Sequence, residues 1–353
     1  MRYNFYENTY ELLWRTVMYS PDGGHDLLYA NKPLLSFDEN GSFEEQKSAI
    51  TDKILECLGD RPEKVPLDPV IEYTTETEKC TEYRINFAVE EGVRAVCLLL
   101  IPKLGKEKYP LAICLQGHTT GMHISLGREK WGENDLKSTD KIALKPLEKG
   151  FAVLCLEQRG MGERRTDRNG DNHLKNGSPL CYITAMNSLL LGRTMIGERC
   201  HDVSCAIDLA LTYPQIDGDK IVCLGDSGGG TATYYAACYD ERIKVAMPNC
   251  SVFSFRDSIG AMYHCSCNFV PRLGKYMDMG DMAAAIAPRY LIVVNGKDDS
   301  IFPNHGVEKV YATIEKIYKS AGVPENCAKA TGGGAHQYYE NETWDTFDRI
   351  VKW

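Results

Sequence analysis

The chain has 353 residues, with 40 Lys+Arg against 49 Asp+Glu and a formal net charge of −9. Hydrophobic residues make up 43% and charged residues 25%, a globular composition with ample apolar material for a core. The acidic balance excludes a basic nucleic-acid-binding face and any attraction to anionic lipid, and no apolar run approaches the ~18 residues of a membrane span.

In chain order, residues 1–68 read as a helical N-terminal extension. Apolar and aromatic residues recur at helical spacing over residues 3–18 and again over 43–58, the second behind Ser42 as a cap. Between them, SPDGG and FDENGS read as turns. The opening residues lack an apolar core followed by a small-residue cleavage site, which predicts no secretory signal and a cytoplasmic protein. Fourteen cysteines fit that compartment. Cys97, Cys114, Cys155 and Cys223 lie inside apolar strands, where free thiols behave as small hydrophobes.

Residues 69–353 read as one catalytic domain. Residues 70–77, 80–87 and 94–101 predict sequential antiparallel strands. An alternation follows: strand 111–115, helix near 138–149, strand 152–156, helix 194–212, strand 221–224 and helix 229–239. It continues with strands 245–248 and 290–295, helix 306–320 and a short strand near 328–331. Strands alternating with helices imply an α/β fold, a mostly parallel central sheet covered by helices on both faces. Two long connections, 159–193 and 249–287, read as insertions; the second is expected to line a pocket.

The sharpest signal is IVCLGDSGGG at residues 221–230, an apolar strand running through Gly225-Asp226-Ser227-Gly228-Gly229 into a helix. A serine on so sharp a turn needs neighbours without Cβ atoms two positions before and after it. Its hydroxyl is then exposed at a helix N-terminus. Such a serine needs a base, and the base an orienting acid, in the order Ser, Asp/Glu, His. Of the later histidines, His264, His305 and His336, the last follows the final strand in a glycine-rich loop and is the best base. Two aspartates, Asp298 and Asp299, compete for the acid at the end of strand 290–295, with Asp257 and Asp278 as outside candidates. Backbone N–H groups of Gly228 and of His118, in the loop after strand 111–115, are expected to hold the oxyanion.

Other features receive plainer readings. His264-Cys265-x-Cys267, with Cys250 upstream, reads as pocket-wall thiols, because C-x-C on an extended chain points its sulfurs apart; no metal and no cofactor are expected. Residues 159–165 read as a charged, solvated loop. Phe255 and Tyr263 are the tentative substrate-binding residues of an apolar wall in 249–287.

The motifs taken together resemble the α/β-hydrolase superfamily from about Pro69 onward. More narrowly, the chain is similar to the bacterial acetyl xylan esterase and dienelactone hydrolase-related serine esterase branch. The shared marks are LQGHTTGMH, LEQRGMGER, LLGRTMIGERCHDVSCAIDLAL, GDSGGGT, HCSCNFVP, DMGDMAAAIAPR, NGKDDSIFP and GGGAH. The resemblance implies the α/β-hydrolase fold and a catalytic triad of Ser227, Asp299 and His336. Two departures stand out: Gly228 replaces the glutamine that follows the nucleophile in acetyl xylan esterases, and Ser227 replaces the cysteine of dienelactone hydrolases. The expected activity is that of a carboxylesterase acting on a small ester, for instance an acetyl ester of a sugar. A peptidase or amidase with the same triad, and a non-catalytic binding protein, are the alternatives. A small-molecule ester is the expected partner, with no nucleic acid and no membrane; homo-oligomerisation is left open.

Overall fold

A computed structural model describes residues 20–128, 141–166 and 181–353. The helix expected over residues 3–18 and the start of the one near 138–149 lie outside them. Among the described residues, nine strands form one sheet: β1 (Val70–Glu76), β2 (Cys80–Glu90), β3 (Val93–Pro102), β4 (Tyr109–Leu115), β5 (Ala152–Leu156), β6 (Ile216–Asp226), β7 (Ile243–Asn249), β8 (Tyr290–Gly296) and β9 (Cys327–Gly332). Their spatial order is β1-β2-β3-β5-β4-β6-β7-β8-β9. The first three strands pair antiparallel, as does β3 with β5; the other pairs are parallel.

The parallel strands are short apolar runs because both sheet faces are covered. β5 is buried at every residue, and so is β4 apart from Pro110. Cys97, Cys114, Cys155 and Cys223 are buried within them, the small hydrophobes expected of such positions. Helices of nine residues or more are α1 (Asp22–Ala30), α2 (Phe43–Cys57), α3 (Cys181–Leu190), α4 (Met195–Ala210), α5 (Gly228–Tyr239), α6 (Asn304–Ser320) and α7 (Glu340–Ile350).

Two helices were not expected. SPDGG does not stay a turn: Pro21 sits at the N-cap with φ −67°, already helical, and Asp22 occupies the first turn, where its charge suits the helix dipole. α3 lies inside the 159–193 connection. α2 behaves as its spacing predicts: Ser42 Oγ accepts from Glu45 N, and Ile50, Ile54 and Cys57 join the same core as the sheet.

The chain passes from β4 to β5 on one side, then crosses to β6 on the other. This reversal opens a crevice at the carboxyl ends of β4 and β6, the place where open α/β sheets bind ligands. The loop after β5 at that edge is not solvated, contrary to the sequence reading. Asp202 on α4, 1% exposed, receives Arg159 on both carboxylate oxygens at 2.8 and 2.9 Å, and Arg164 at 2.6 Å. Glu90 takes a further bond from Arg159 at 2.7 Å. These charges are buried because each finds an opposite partner. Burial opposes ionisation of Asp202, but the charges of Arg164 and Arg159 outweigh it and hold the carboxyl at about 2.

Removing one partner strands the others, so Asp202→Ala should cost about 3–5 kcal/mol in urea denaturation at pH 7. Because the native pKa lies below the unfolded value of about 3.9, this contribution is complete above that value and fades as pH falls toward 2. The gap between wild type and variant should therefore be narrower in melts at pH 3.

Candidate active site

Ser227 links β6 to α5 with φ 53° and ψ −120°, a conformation rarely open to a residue with a side chain. The local sequence makes it possible. A Cβ on Gly229 would land on the carbonyl oxygen of Leu115, and one on Gly225 would strike the carbonyl of Gly229. Only hydrogen fits at either place, so strand, turn and helix close up and Ser227 is lifted out between them. Its N–H donates to the Asn249 carbonyl on β7 at 3.0 Å, and its carbonyl accepts from Thr231 N at 2.9 Å. The residue stands at the N-terminus of a helix buried over most of its length.

Asp299 and His336 reach the same edge from the ends of β8 and β9. His336 Nδ1 and Asp299 Oδ2 are 2.8 Å apart. The other carboxylate oxygen of Asp299 accepts from Ile301 N at 2.8 Å and Phe302 N at 3.0 Å. Burial raises the pKa of this carboxyl, but the hydrogen bond and charge of His336 and the two N–H donors more than offset it, and the net shift is downward. Asp298 is exposed and points away; its backbone N–H bonds to Gly334. Of the outside candidates, Asp278 caps a short helix and accepts from Phe255 N, while Asp257 lies 3.8 Å from the exposed His305.

His264 borders the same cavity, but neither ring nitrogen is available as a base. Nε2 lies 3.0 Å from Ser258 Oγ, whose hydroxyl donates to the Ile301 carbonyl, and Asn268 Nδ2 donates to Nδ1 at 3.3 Å. This pattern suits a neutral ring, and burial lowers its pKa.

The cavity measures about 530 Å³ and is bordered by Ser227, His336, Gly117, His118, Tyr263, His264 and Phe302, among others. Its volume lies within the range of small-ligand sites. Tyr263 is almost fully exposed, at 97%, and stands at the rim. Phe255, expected in the wall, does not reach the cavity. It is 6% exposed and packs edge-to-face on Phe253, which lies against Phe302, which in turn lies 5.4 Å from the His336 ring. Phe255 is thus the foot of an aromatic stack that ends under the histidine. Its periodicity and position in the insertion could not reveal which side of that stack it occupied.

The loop after β4 presses on the serine turn. A Cβ on Gly117 would meet Ser227 Cβ at 3.3 Å, and one on Gly228 would meet the His118 ring at 2.5 Å. The His118 ring therefore occupies the space that a side chain at 228 would claim. Its Nε2 lies 3.0 Å from Cys267 Sγ. The C-x-C reading also needs correction: a 3₁₀ turn over Ser266–Asn268 folds this segment, and the sulfurs of Cys265 and Cys267 stand 3.3 Å apart. An extended chain would have kept them on opposite sides.

A model of the Abhydrolase family matches residues 24–348. The chain belongs to the Abhydrolase family. A Bacillus subtilis (strain 168) protein named as a hydrolase, YtaP, is 24% identical over 277 residues, 77% of this chain and 88% of the relative. Among solved structures, one named as an acetyl xylan esterase from Bacteroides fragilis NCTC 9343 superposes with TM-score 0.71 at 18% identity, covering 91% of this chain and 82% of its own. A glucuronoyl esterase from Solibacter usitatus superposes with TM-score 0.66 at 15% identity, covering 91% and 96%. These likenesses establish the α/β-hydrolase fold. Among the described residues, no helix is long and apolar enough to cross a membrane.

The steric account of the turn is testable without any substrate. Gly229→Ala should lower stability by about 3 kcal/mol or more, because its methyl must displace the Leu115 backbone. Gly333→Ala, whose Cβ would meet nothing within 4 Å, should stay within about 0.5 kcal/mol of wild type in the same thermal melts.

Proposed function

We propose that this protein is a serine esterase that cleaves small carboxylic esters through an acyl-enzyme on Ser227. The observation that carries the reading is the shared cavity: Ser227 on a strained turn and His336, whose Nδ1 is paired with the buried Asp299, border one space. With Nδ1 engaged, Nε2 is the nitrogen that serves the serine. Ser227 Oγ attacks the ester carbonyl carbon, and its proton passes to His336 Nε2. The tetrahedral oxyanion is held by the N–H groups of Gly228 and His118. Collapse expels the alcohol, which takes the proton from His336. Water then attacks the acyl-enzyme, again giving its proton to His336, and Ser227 recovers it as the acid leaves. Asp299 fixes the tautomer and offsets the imidazolium charge.

One neighbour is named an acetyl xylan esterase and another a glucuronoyl esterase, and these names support a sugar ester as the substrate class. A sugar acetate or a similarly small ester fits a cavity of about 530 Å³ with Tyr263 at its mouth. Gly228 carries no side chain, and the His118 ring borders the serine turn in its place.

Ser227→Ala should abolish both p-nitrophenyl acetate hydrolysis and fluorophosphonate labelling, a loss on the order of 10⁴-fold or more. Asp299→Asn should lower kcat by about 10³–10⁴-fold through loss of tautomer control, while Asp298→Asn, altering an exposed carboxylate, should leave it nearly unchanged. Labelling on another serine would overturn the assignment. Faster turnover of an amino-acid anilide than of the ester would favour the amidase reading, and labelling without turnover of any ester would favour a binding protein.

A further inference from the structure

Beside the cavity, three segments distant in sequence bring one histidine and three cysteines to a point. His118 comes from the loop after β4, Cys181 opens α3, and in the 249–287 connection Cys265 precedes the 3₁₀ turn while Cys267 lies within it. Their ligand atoms, one ring nitrogen and three sulfurs, all lie within 4.8 Å of one another. Within it, His118 Nε2 lies 3.0 Å from Cys267 Sγ, and Cys265 Sγ lies 3.3 Å from Cys267 Sγ. A tetrahedral zinc ion with bonds of about 2.3 Å to sulfur and about 2.0 Å to nitrogen keeps its ligand atoms about 3.5–3.8 Å apart. The observed cluster brackets that spacing and needs only side-chain adjustment to meet it.

A second, independent observation concerns charge. Arg199 is 1% exposed, and a buried guanidinium requires an anion. Among the described residues no carboxylate stands within ion-pair distance of it. Its partners are the Arg159 carbonyl, Cys181 Sγ at 3.3 Å and Cys267 Sγ at 3.4 Å. Neutral thiols would leave the arginine uncompensated, whereas three bare thiolates at this separation would repel one another. A divalent ion resolves both problems. With three thiolates and a neutral imidazole it forms a unit of charge −1, which Arg199 neutralises.

We propose that His118, Cys181, Cys265 and Cys267 bind one thiophilic divalent metal ion, zinc by the chemistry of its donors, in a closed tetrahedral site. Four protein ligands leave no open position, so the ion is structural and takes no part in the ester chemistry. Its position gives it a task. It ties the loop after β4, whose His118 ring borders the serine turn, to α3 and to the turn that carries the cavity wall at Cys265. Arg199 is a positioning residue for the site, donating to two of its sulfurs.

The test reads metal, not ester turnover, so it fails or succeeds independently of the role given to Ser227. The full chain, expressed with zinc in the medium and desalted without chelator, should carry about one zinc per chain by mass-spectrometric metal analysis. Cobalt(II) exchanged into wild-type protein should show the intense visible bands and thiolate charge transfer of a tetrahedral sulfur-rich site. Cys181→Ser and Cys265→Ser should each cut tightly held zinc at least about tenfold, and Cys327→Ser, a thiol at the start of β9 outside the cluster, should retain it. Wild-type protein that binds neither zinc nor cobalt overturns the proposal without recourse to any variant. So does a disulfide among the three cysteines in freshly purified protein, or equal zinc loss in Cys327→Ser.

Discussion

The site depends on a contact between backbones. The carbonyl oxygens of Leu115 and Gln116, at the end of β4, lie so close to Gly229 that nothing larger than hydrogen fits. Because β4 and β6 are hydrogen-bonded neighbours, with Leu115 opposite Gly225, the strand that carries the serine and the strand that leads into the His118 loop are locked at one spacing. The first turn of α5 must then start almost on top of β4, and Ser227 is pushed into a positive-φ conformation that costs roughly 1–3 kcal/mol. That cost is sustained by the bonds on either side of the residue, to β7 and into α5, and by burial of nearly the whole helix.

Around this contact the sheet edge is built from loops that are individually short of support. The loop after β8 gains it from the two N–H groups that clasp Asp299, and the loop after β9 gains it from the His336 bond to the same carboxylate. The His336 ring rests on Phe302, at the end of a stack running back through Phe253 to Phe255. The loop after β5 is held electrostatically instead, with Arg159 and Arg164 converging on Asp202 from one side. Buried ion pairs of this kind contribute little net stability against an apolar alternative, but removing one partner leaves the others buried and uncompensated.

Gly228 and His118 fit against one another across two loops. At position 228 this chain has no side chain, and an imidazole from the neighbouring loop fills the space. That imidazole turns its Nε2 toward the cysteine cluster of the insertion and α3. The border of the serine turn is therefore set by His118, held by Cys267 some 150 positions away in sequence, rather than by a side chain at 228.

Much of this was legible in the amino-acid order, because it rests on local chemistry. Alternating short apolar runs and helical spacings named the strands to within a few residues. A strand entering G-x-S-x-G and a helix determined where a serine must be exposed, since the steric demand on Gly225 and Gly229 acts within five residues. Only the family resemblance favours Asp299 over Asp298; the pairing with His336 Nδ1 is a contact between the ends of two strands. What the sequence could not determine are relations between segments. Phe255 looked like a pocket residue but faces an aromatic stack; residues 159–165 looked solvated but bury two arginines; SPDGG looked like a turn but begins a helix. The C-x-C pair looked divergent until a 3₁₀ turn brought its sulfurs together, and nothing near Cys181 in sequence connects it to His118. Those decisions belong to the tertiary structure because burial, charge compensation and ligand convergence are properties of what lies across a gap in space, which local periodicity does not encode.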